Sequence, residues 1–316
     1  MEKETSMKAV RYHSYGDSGV LVHEEADRPE AAAGQVVLKV AGAGFNLLDT
    51  AIRLGILQEM APIALPHSPG IELSGTVSEI GEGVSGWNLG DAVVAILPMA
   101  AQGAAAEYAA VPAEALVAAP TTVPLADAAA LPVAGLTAWQ ALFEHAKPEA
   151  EQRILINGAG GGIGGHAIRL AKQAGLHVTA TASPRSRDRV REAGADEIVD
   201  YTATPVAEAL AGRQFELVLH LVRGSDEEAE QAAGLVASGG VFVSTATPGP
   251  DDIGRGVRVE KVFMRGDAAQ LADLVARVDA GELKIEVAER IPLADTASVH
   301  DRGAAGKLAG KTILIP

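Results

Sequence analysis

The chain has 316 residues, 48% apolar and 21% charged, the balance of a soluble globular protein long enough for two domains. With 41 Asp and Glu against 26 Lys and Arg, the net charge of −15 argues against nucleic acid or an anionic membrane as partner, and no apolar run is long enough to span a bilayer. There is no cysteine, which removes disulfides, a thiol nucleophile and any thiolate zinc site; the eight histidines are scattered, with no H-x-x-x-H or H-E-x-x-H pair. The polar start Met1-Glu2-Lys3-Glu4-Thr5-Ser6 lacks the apolar core of a signal peptide, so a cytoplasmic protein is expected.

In chain order, residues 7–120 read as β-rich. Strands are expected at 7–12, 35–40, 73–80 and 92–96, with Gly81, Gly83, Gly86 and Gly90 as turn residues and Ala101 to Ala106 as a mobile loop. Past 120 the pattern changes to helices at 125–132 and 136–143, then to β-α-β-α alternation up to about residue 280. Strands fall at 154–157, 177–182, 217–222 and 240–245, and helices at 167–174, 226–237 and 267–279. Such alternation implies a mostly parallel, doubly wound sheet. The last strand, 311–315, sits outside it and is expected to return to the N-terminal domain. Gly256 to Met264 reads either as a free sheet edge or as an ordinary internal strand.

The run Ile154-Leu155-Ile156-Asn157 ends in Gly158-Ala159-Gly160-Gly161-Gly162-Ile163-Gly164-Gly165 and opens into a helix that Gly175 stops. Strand, glycine turn and helix begin a dinucleotide-binding βαβ unit, in which the backbone must approach a pyrophosphate at a helix N-terminus. The register is not unique: Gly160, Gly162 and Gly165 fit G-x-G-x-x-G, while Gly158, Gly161 and Gly164 recur every third position. A glycine-rich turn without a ligand is the competing reading. The strand that follows, His177 to Ala182, ends where a ribose-reading residue belongs, without an acid. Ser183-Pro184-Arg185-Ser186-Arg187 stands there instead, and a hydroxyl with arginines suits a 2′-phosphate, hence NADPH. Alternatively, these arginines merely solvate the next helix.

Longer motifs extend this reading. Gly44-Phe45-Asn46-Leu47-Leu48-Asp49, Pro69-Gly70-Ile71-Glu72-Leu73-Ser74-Gly75, Val84-Ser85-Gly86-Trp87-Asn88-Leu89-Gly90-Asp91, Ala129-Ala130-Leu131-Pro132, Gly135-Leu136-Thr137-Ala138-Trp139, Gly194-Ala195-Asp196 and Gly310-Lys311 join the glycine turn. Together they resemble the medium-chain dehydrogenase/reductase superfamily, in particular its zinc-free quinone oxidoreductase (zeta-crystallin-like) branch. The resemblance implies an α/β protein. A GroES-like β-rich substrate domain, residues 1–122 with 286–316, accompanies a Rossmann NADPH-binding domain, 123–285, with the active site in a cleft and a homodimer as assembly. Zinc-dependent relatives carry a Cys where this chain has Gly44-Phe45-Asn46 and Gly-His-Glu where it has Gly70-Ile71-Glu72, so no metal is expected. By the same resemblance Asn46 lies near the nicotinamide ribose and Thr137 near the phosphate or nicotinamide end. Gly158, Gly161, Gly162 and Ile163 hold the pyrophosphate. Ser183, Arg185 or Arg187 and Tyr201 hold the 2′-phosphate, and Val222 and Thr245-Ala246 flank the nicotinamide. A helix cap for Thr137 and a packed strand-end aromatic for Tyr201 are the structural alternatives.

Without a Lewis acid an unactivated ketone is a hard acceptor, whereas a quinone or enone spreads the developing charge onto oxygen. Relatives often carry tyrosines after Asn-x-x-Asp; this chain has Ala51 and Leu57 there. That points to a roomy apolar pocket for a bulky aromatic acceptor, with the proton taken from solvent. Three functions follow: an NADPH quinone reductase, an NADPH enoyl reductase on an unsaturated ketone or thioester (favoured if a tyrosine such as Tyr108 reaches the site), and a non-catalytic NADPH-binding sensor.

Overall fold

The computed structural model describes residues 5–316; Met1 to Glu4 of the polar start lie outside the described residues. Two compact units form. The first takes Val133 and all before it, 266–281 and 285–316; the second takes 134–265 and 282–284. In chain order the first unit supplies β1 (Ser6–Arg11), β2 (Val22–Asp27), β3 (Gln35–Gly44), α1 (Leu47–Arg53), β4 (Glu72–Ile80), β5 (Ala92–Ile96), β6 (Tyr108–Pro112), β7 (Leu116–Ala118) and α2 (Leu125–Ala128). After α3 (Pro132–Trp139) come β8 (Arg153–Asn157), α4 (Gly164–Gln173), β9 (His177–Ala182), α5 (Arg187–Glu192), β10 (Glu197–Asp200), α6 (Val206–Ala209), β11 (Phe215–His220), α7 (Asp226–Gly234), β12 (Val236–Ser244) and β13 (Arg258–Lys261). The chain then returns with α8 (Ala268–Asp279), β14 (Glu289–Pro292), α9 (Thr296–Ala304) and β15 (Thr312–Ile315).

In the first unit a seven-stranded sheet runs β14-β15-β3-β4-β5-β7, with β6 also on β3, beside a β1-β2 ribbon. Val36, Leu38, Val40, Leu73, Val93, Val111 and Leu314 fill its core, each burial contributing roughly 1.5–3 kcal/mol. The C-terminal strand therefore does return to this sheet. The alanine stretch is not a mobile loop: Ala104, Ala105 and Ala106 are buried, and the Ala105 carbonyl accepts from Val10 N–H at 2.8 Å. The Ala104 N–H donates to Gly70 O at 2.9 Å, and a methyl on Gly103 would overlap the Pro69 carbonyl. Small side chains let this backbone press against its neighbours, so composition alone misreads it.

Two boundaries differ from expectation. Pro132 does not close a helix but opens α3, where its missing N–H is one the first turn leaves unpaired anyway; α3 continues as a π-helical turn, Gln140–Ala146. Segments 123–133 and 266–281 group with the first unit rather than with the nucleotide-binding domain. There α8 lies against β7, burying Leu271, Leu274, Val275 and Val278, and Asp279 accepts the Thr121 and Thr122 N–H groups at 2.8 and 3.1 Å.

The second unit is a six-stranded sheet in the order β10-β9-β8-β11-β12-β13, parallel throughout. Counted from β8 this is 3-2-1-4-5-6, the Rossmann order, and its direction reverses between β8 and β11. The segment expected as edge or internal strand is an edge: β13 pairs only with β12 among the described strands.

Candidate active site

The reversal point of the parallel sheet is where an open α/β fold binds its ligand. Here β8 ends at Asn157 and the chain turns through Gly158, whose φ of 91° disfavours any side chain. A Cβ there would also sit 2.9 Å from Val222 Cγ2. The turn through Gly161, Gly162 and Ile163 then enters α4, presenting helix N-terminal amides. Gly160 has no room for a methyl because Ser186 Oγ lies against it, whereas Gly161 faces only the Gly158 carbonyl, 3.4 Å from where its Cβ would be. The cradle fits a pyrophosphate.

Three strand ends are tied together beneath it. Thr181 Oγ1 accepts the Gly158 N–H at 2.8 Å and donates to Asn157 Oδ1 at 2.9 Å. The Asn157 amide in turn donates to His220 Nδ1 at 3.1 Å. Burial lowers the pKa of His220, keeping the neutral imidazole that this acceptor role needs. On the adjoining loops Thr245 N–H bonds the His220 carbonyl at 3.1 Å, and Gly224 N–H bonds Thr247 Oγ1 at 2.9 Å. The structure thus brings Gly158, Val222 and Thr245-Ala246 to the C-terminal ends of three neighbouring strands.

At the end of β9, Ser183 is buried in a turn closed by its N–H to Ser186 Oγ at 3.2 Å, while Arg185 and Arg187 are exposed. Tyr201, just past β10, is 49% exposed, so it is not a packed strand-end aromatic. Asp200 beside it is held below the usual carboxylate range by Thr202 and, to a smaller extent, by Arg187. Arg189, which the sequence did not single out, reaches the Gly160 carbonyl at 3.5 Å. Thr137 is buried midway along α3 and caps no helix start.

In the first unit the end of β3 is flanked by β15, with Ile313 opposite Gly44, and by β4, with Leu73 opposite Ala43. That register gathers Asn46, Glu72 and Lys311 from three distant stretches. Lys311 is 6% and Glu72 0% exposed, and they form a buried ion pair through Oε1. The ammonium also donates to Asn46 Oδ1 at 2.7 Å and Phe45 O at 3.1 Å, so its three hydrogens are all engaged. Asn46 Nδ2 donates to Glu72 Oε1 at 2.8 Å and Gly44 O at 3.3 Å, and Glu72 Oε2 accepts the Val133 N–H at 2.7 Å. In the sequence Glu72 and Lys311 stand only as motif letters; the signal that marks them is a lone acid and a lone base, each in an apolar neighbourhood.

Asp49, in the first turn of α1, accepts the Asn46 and Gly70 N–H groups at 2.8 and 3.2 Å, and burial pushes its carboxyl up to about 7. Tyr108 lies under the Arg28 guanidinium at 4.0 Å and opposite Lys39, five residues back along β3 from Gly44, roughly 17 Å away. Ala51 is half-buried, and nearby Leu54, Ile56, Met60 and Leu65 are exposed. Among the described residues no three His, Cys, Asp or Glu side chains are grouped to hold a metal ion, and no helix is long and apolar enough to cross a membrane.

Two family models match the chain. Residues 32–121 match an alcohol dehydrogenase GroES-like domain, and 193–314 match a family described as zinc-binding dehydrogenase. The chain is 33% identical to the chloroplast envelope quinone oxidoreductase homolog of Arabidopsis thaliana, over 98% of each chain. It superposes on the quinone oxidoreductase from Coxiella burnetii with a TM-score of 0.87 at 28% identity, covering 98% of this chain and 99% of that one. The CurK enoyl reductase gives the same TM-score at 26% identity, covering 99% of both. Parallel-sheet nucleotide fold, GroES-like sheet and whole-length similarity converge: the chain belongs to the quinone oxidoreductase-like proteins of the medium-chain dehydrogenase/reductase superfamily.

Proposed function

We propose that this protein is an NADPH-dependent reductase that passes a hydride to a quinone without zinc. The observation that carries the reading is the pair of sites just described. A glycine cradle at the sheet reversal has exposed arginines, not an acid, at the end of β9, and the oxygen donors near Asn46 are already held by an ammonium. Gly158, Gly161, Gly162 and Ile163 hold the pyrophosphate, and Ser183, Arg185, Arg187 and Tyr201 hold the 2′-phosphate. Val222, Thr245 and Ala246 flank the nicotinamide, Thr137 lies toward the phosphate or nicotinamide end, and Asn46 meets the ribose. When bound, the reduced nicotinamide supplies the hydride.

The residues of the first unit restrict the rest of the chemistry. Lys311 has no uncommitted hydrogen and Asn46 has none on its amide, so neither can protonate a substrate oxygen or donate to an alkoxide. An acceptor that delocalises its own charge and takes its proton from water suits such a site. Ala51 and Leu57, standing where relatives often carry tyrosines, favour a bulky aromatic one. A homodimer joined along the free edge of β13 completes the proposal.

The likeness to an enoyl reductase favours a second reading, reduction of an enone. Tyr108, stacked on Arg28 well back along β3, is a poor proton donor for it. The test is cofactor oxidation with parallel quinone and enone panels, using NADPH and NADH. Fast turnover of 1,4-naphthoquinone with NADPH is the expected result. Preference for small enals would replace the first reading by the second, and tight NADPH binding with no turnover would make the protein a sensor.

A further inference from the structure

Lysine can only donate and carboxylate can only accept, so the Lys311–Glu72 pair dictates which way the Asn46 amide faces: oxygen to the ammonium, nitrogen to the carboxylate. Both amide hydrogens are thereby spent inside the protein, on Glu72 and the Gly44 carbonyl. All that Asn46 can offer a ligand is its oxygen, an acceptor for a hydroxyl hydrogen. The ammonium is held by three oxygens contributed by two neighbouring segments, Phe45 O, Asn46 Oδ1 and Glu72 Oε1, which leaves it no freedom to turn elsewhere.

We propose that Lys311 is a positioning residue that, with Glu72, locks the Asn46 amide with its oxygen available to accept a cofactor ribose hydroxyl. This rests on the reading of Asn46 as a ribose contact. Lys311 itself touches neither cofactor nor acceptor; it acts by fixing the polarity of one amide. A lysine there for charge balance alone would be dispensable once Glu72 is neutral. A lysine there for polarity would not. With Gln at 72 and Met at 311, the Gln oxygen satisfies the Val133 N–H and its nitrogen faces Asn46, which must then turn its own oxygen inward.

The experiment is equilibrium titration of the full chain with NADPH and, separately, with 2′,5′-ADP, which carries the phosphate-bearing adenosine but no nicotinamide ribose. In Lys311→Met/Glu72→Gln the NADPH dissociation constant should rise about tenfold, with the 2′,5′-ADP constant unchanged and melting near that of the parent protein. Lys311→Arg keeps the charge opposite Glu72, but its planar fork cannot reproduce three converging donors. It should show the same split, and covers the case in which the double variant does not fold. An unchanged NADPH constant in these variants, with a raised one in Asn46→Ala, would overturn the positioning role alone. An unchanged constant in Asn46→Ala would overturn the ribose contact and the positioning role with it, while the quinone reading stands or falls separately on turnover.

Discussion

The molecule fixes the amide of an asparagine twice, by opposite means. In the second unit Asn157 is held by neutral partners, Thr181 and His220, and every member of that cluster lies at the end of a neighbouring parallel strand. In the first unit Asn46 is held by an ion pair whose halves lie 239 residues apart in sequence. A neutral cluster has little to lose beyond its hydrogen bonds. A buried ion pair carries the desolvation of two charges, so removing one partner strands the other. The two clusters should therefore answer mutation on different scales, and this contrast can be broken experimentally.

The largest effect is expected from Lys311→Met alone, which leaves Glu72 charged, fully buried and unpaired, at a cost of about 3–5 kcal/mol. Chemical denaturation should show it, with most of the loss recovered on adding Glu72→Gln. Loss of only about 1 kcal/mol in the single variant would mean that the pair is far better solvated than its burial indicates. Next in size is Arg185→Ala/Arg187→Ala. Charge-assisted bonds to a 2′-phosphate contribute about 1.5–3 kcal/mol each, so NADPH should bind at least tenfold more weakly while NADH is unaffected. Equal weakening of both cofactors would remove the 2′-phosphate assignment.

What the sequence disclosed follows the same division. The Rossmann half was legible because its signals are local: a glycine turn after an apolar strand, then regular alternation of strand and helix. The Asn46 centre was only half legible. Asn46 stood out within a motif, but Lys311 joins it solely because β15 pairs with the end of β3, a register no local pattern encodes. Ala101 to Ala106 was misread for a related reason. Alanines carry no periodicity to betray burial, and their order comes from Val10 and Gly70, remote in sequence.

Acid should also set the buried groups of the first unit against one another. Burial lowers His67 to about 4 and His300 to about 3, below the ordinary histidine value, so the unfolded chain binds their protons first as pH falls through 6.5. Their stability is complete above that point and is lost below it, at about 1.4 kcal/mol per pH unit each between roughly 6.5 and 4. Asp49, raised to about 7, works the other way: its contribution is complete below the unfolded carboxylate value and disappears as pH rises toward 7. Between pH 4 and 6.5 one histidine is offset and a net loss of about 1.4 kcal/mol per unit remains. His220 acts in the same direction as the other two histidines. Denaturation midpoints across this range should fall with acid, and Asp49→Asn should steepen the slope. A flat profile would show that these histidines are not buried neutral.

The smallest effect is the one that defines the neutral cluster. Thr181→Val keeps the shape of the side chain but deletes the hydroxyl that takes the Gly158 N–H and gives to Asn157 Oδ1. One buried and one part-buried polar group lose a partner, at a cost of about 1–2 kcal/mol, less than stranding Glu72 because neither carries a net charge. The Gly158 turn should loosen without losing its path, since φ there is set by glycine and by the close approach of Val222. Binding of NADPH and NADH should weaken by the same few-fold factor, because the pyrophosphate they share sits on this turn. That equality separates Thr181 from the arginines, which distinguish the two cofactors, and from Lys311, whose loss spares 2′,5′-ADP. If Thr181→Val proved as damaging as Lys311→Met, the two asparagine centres would be equally costly to break, and charge would not be what sets them apart.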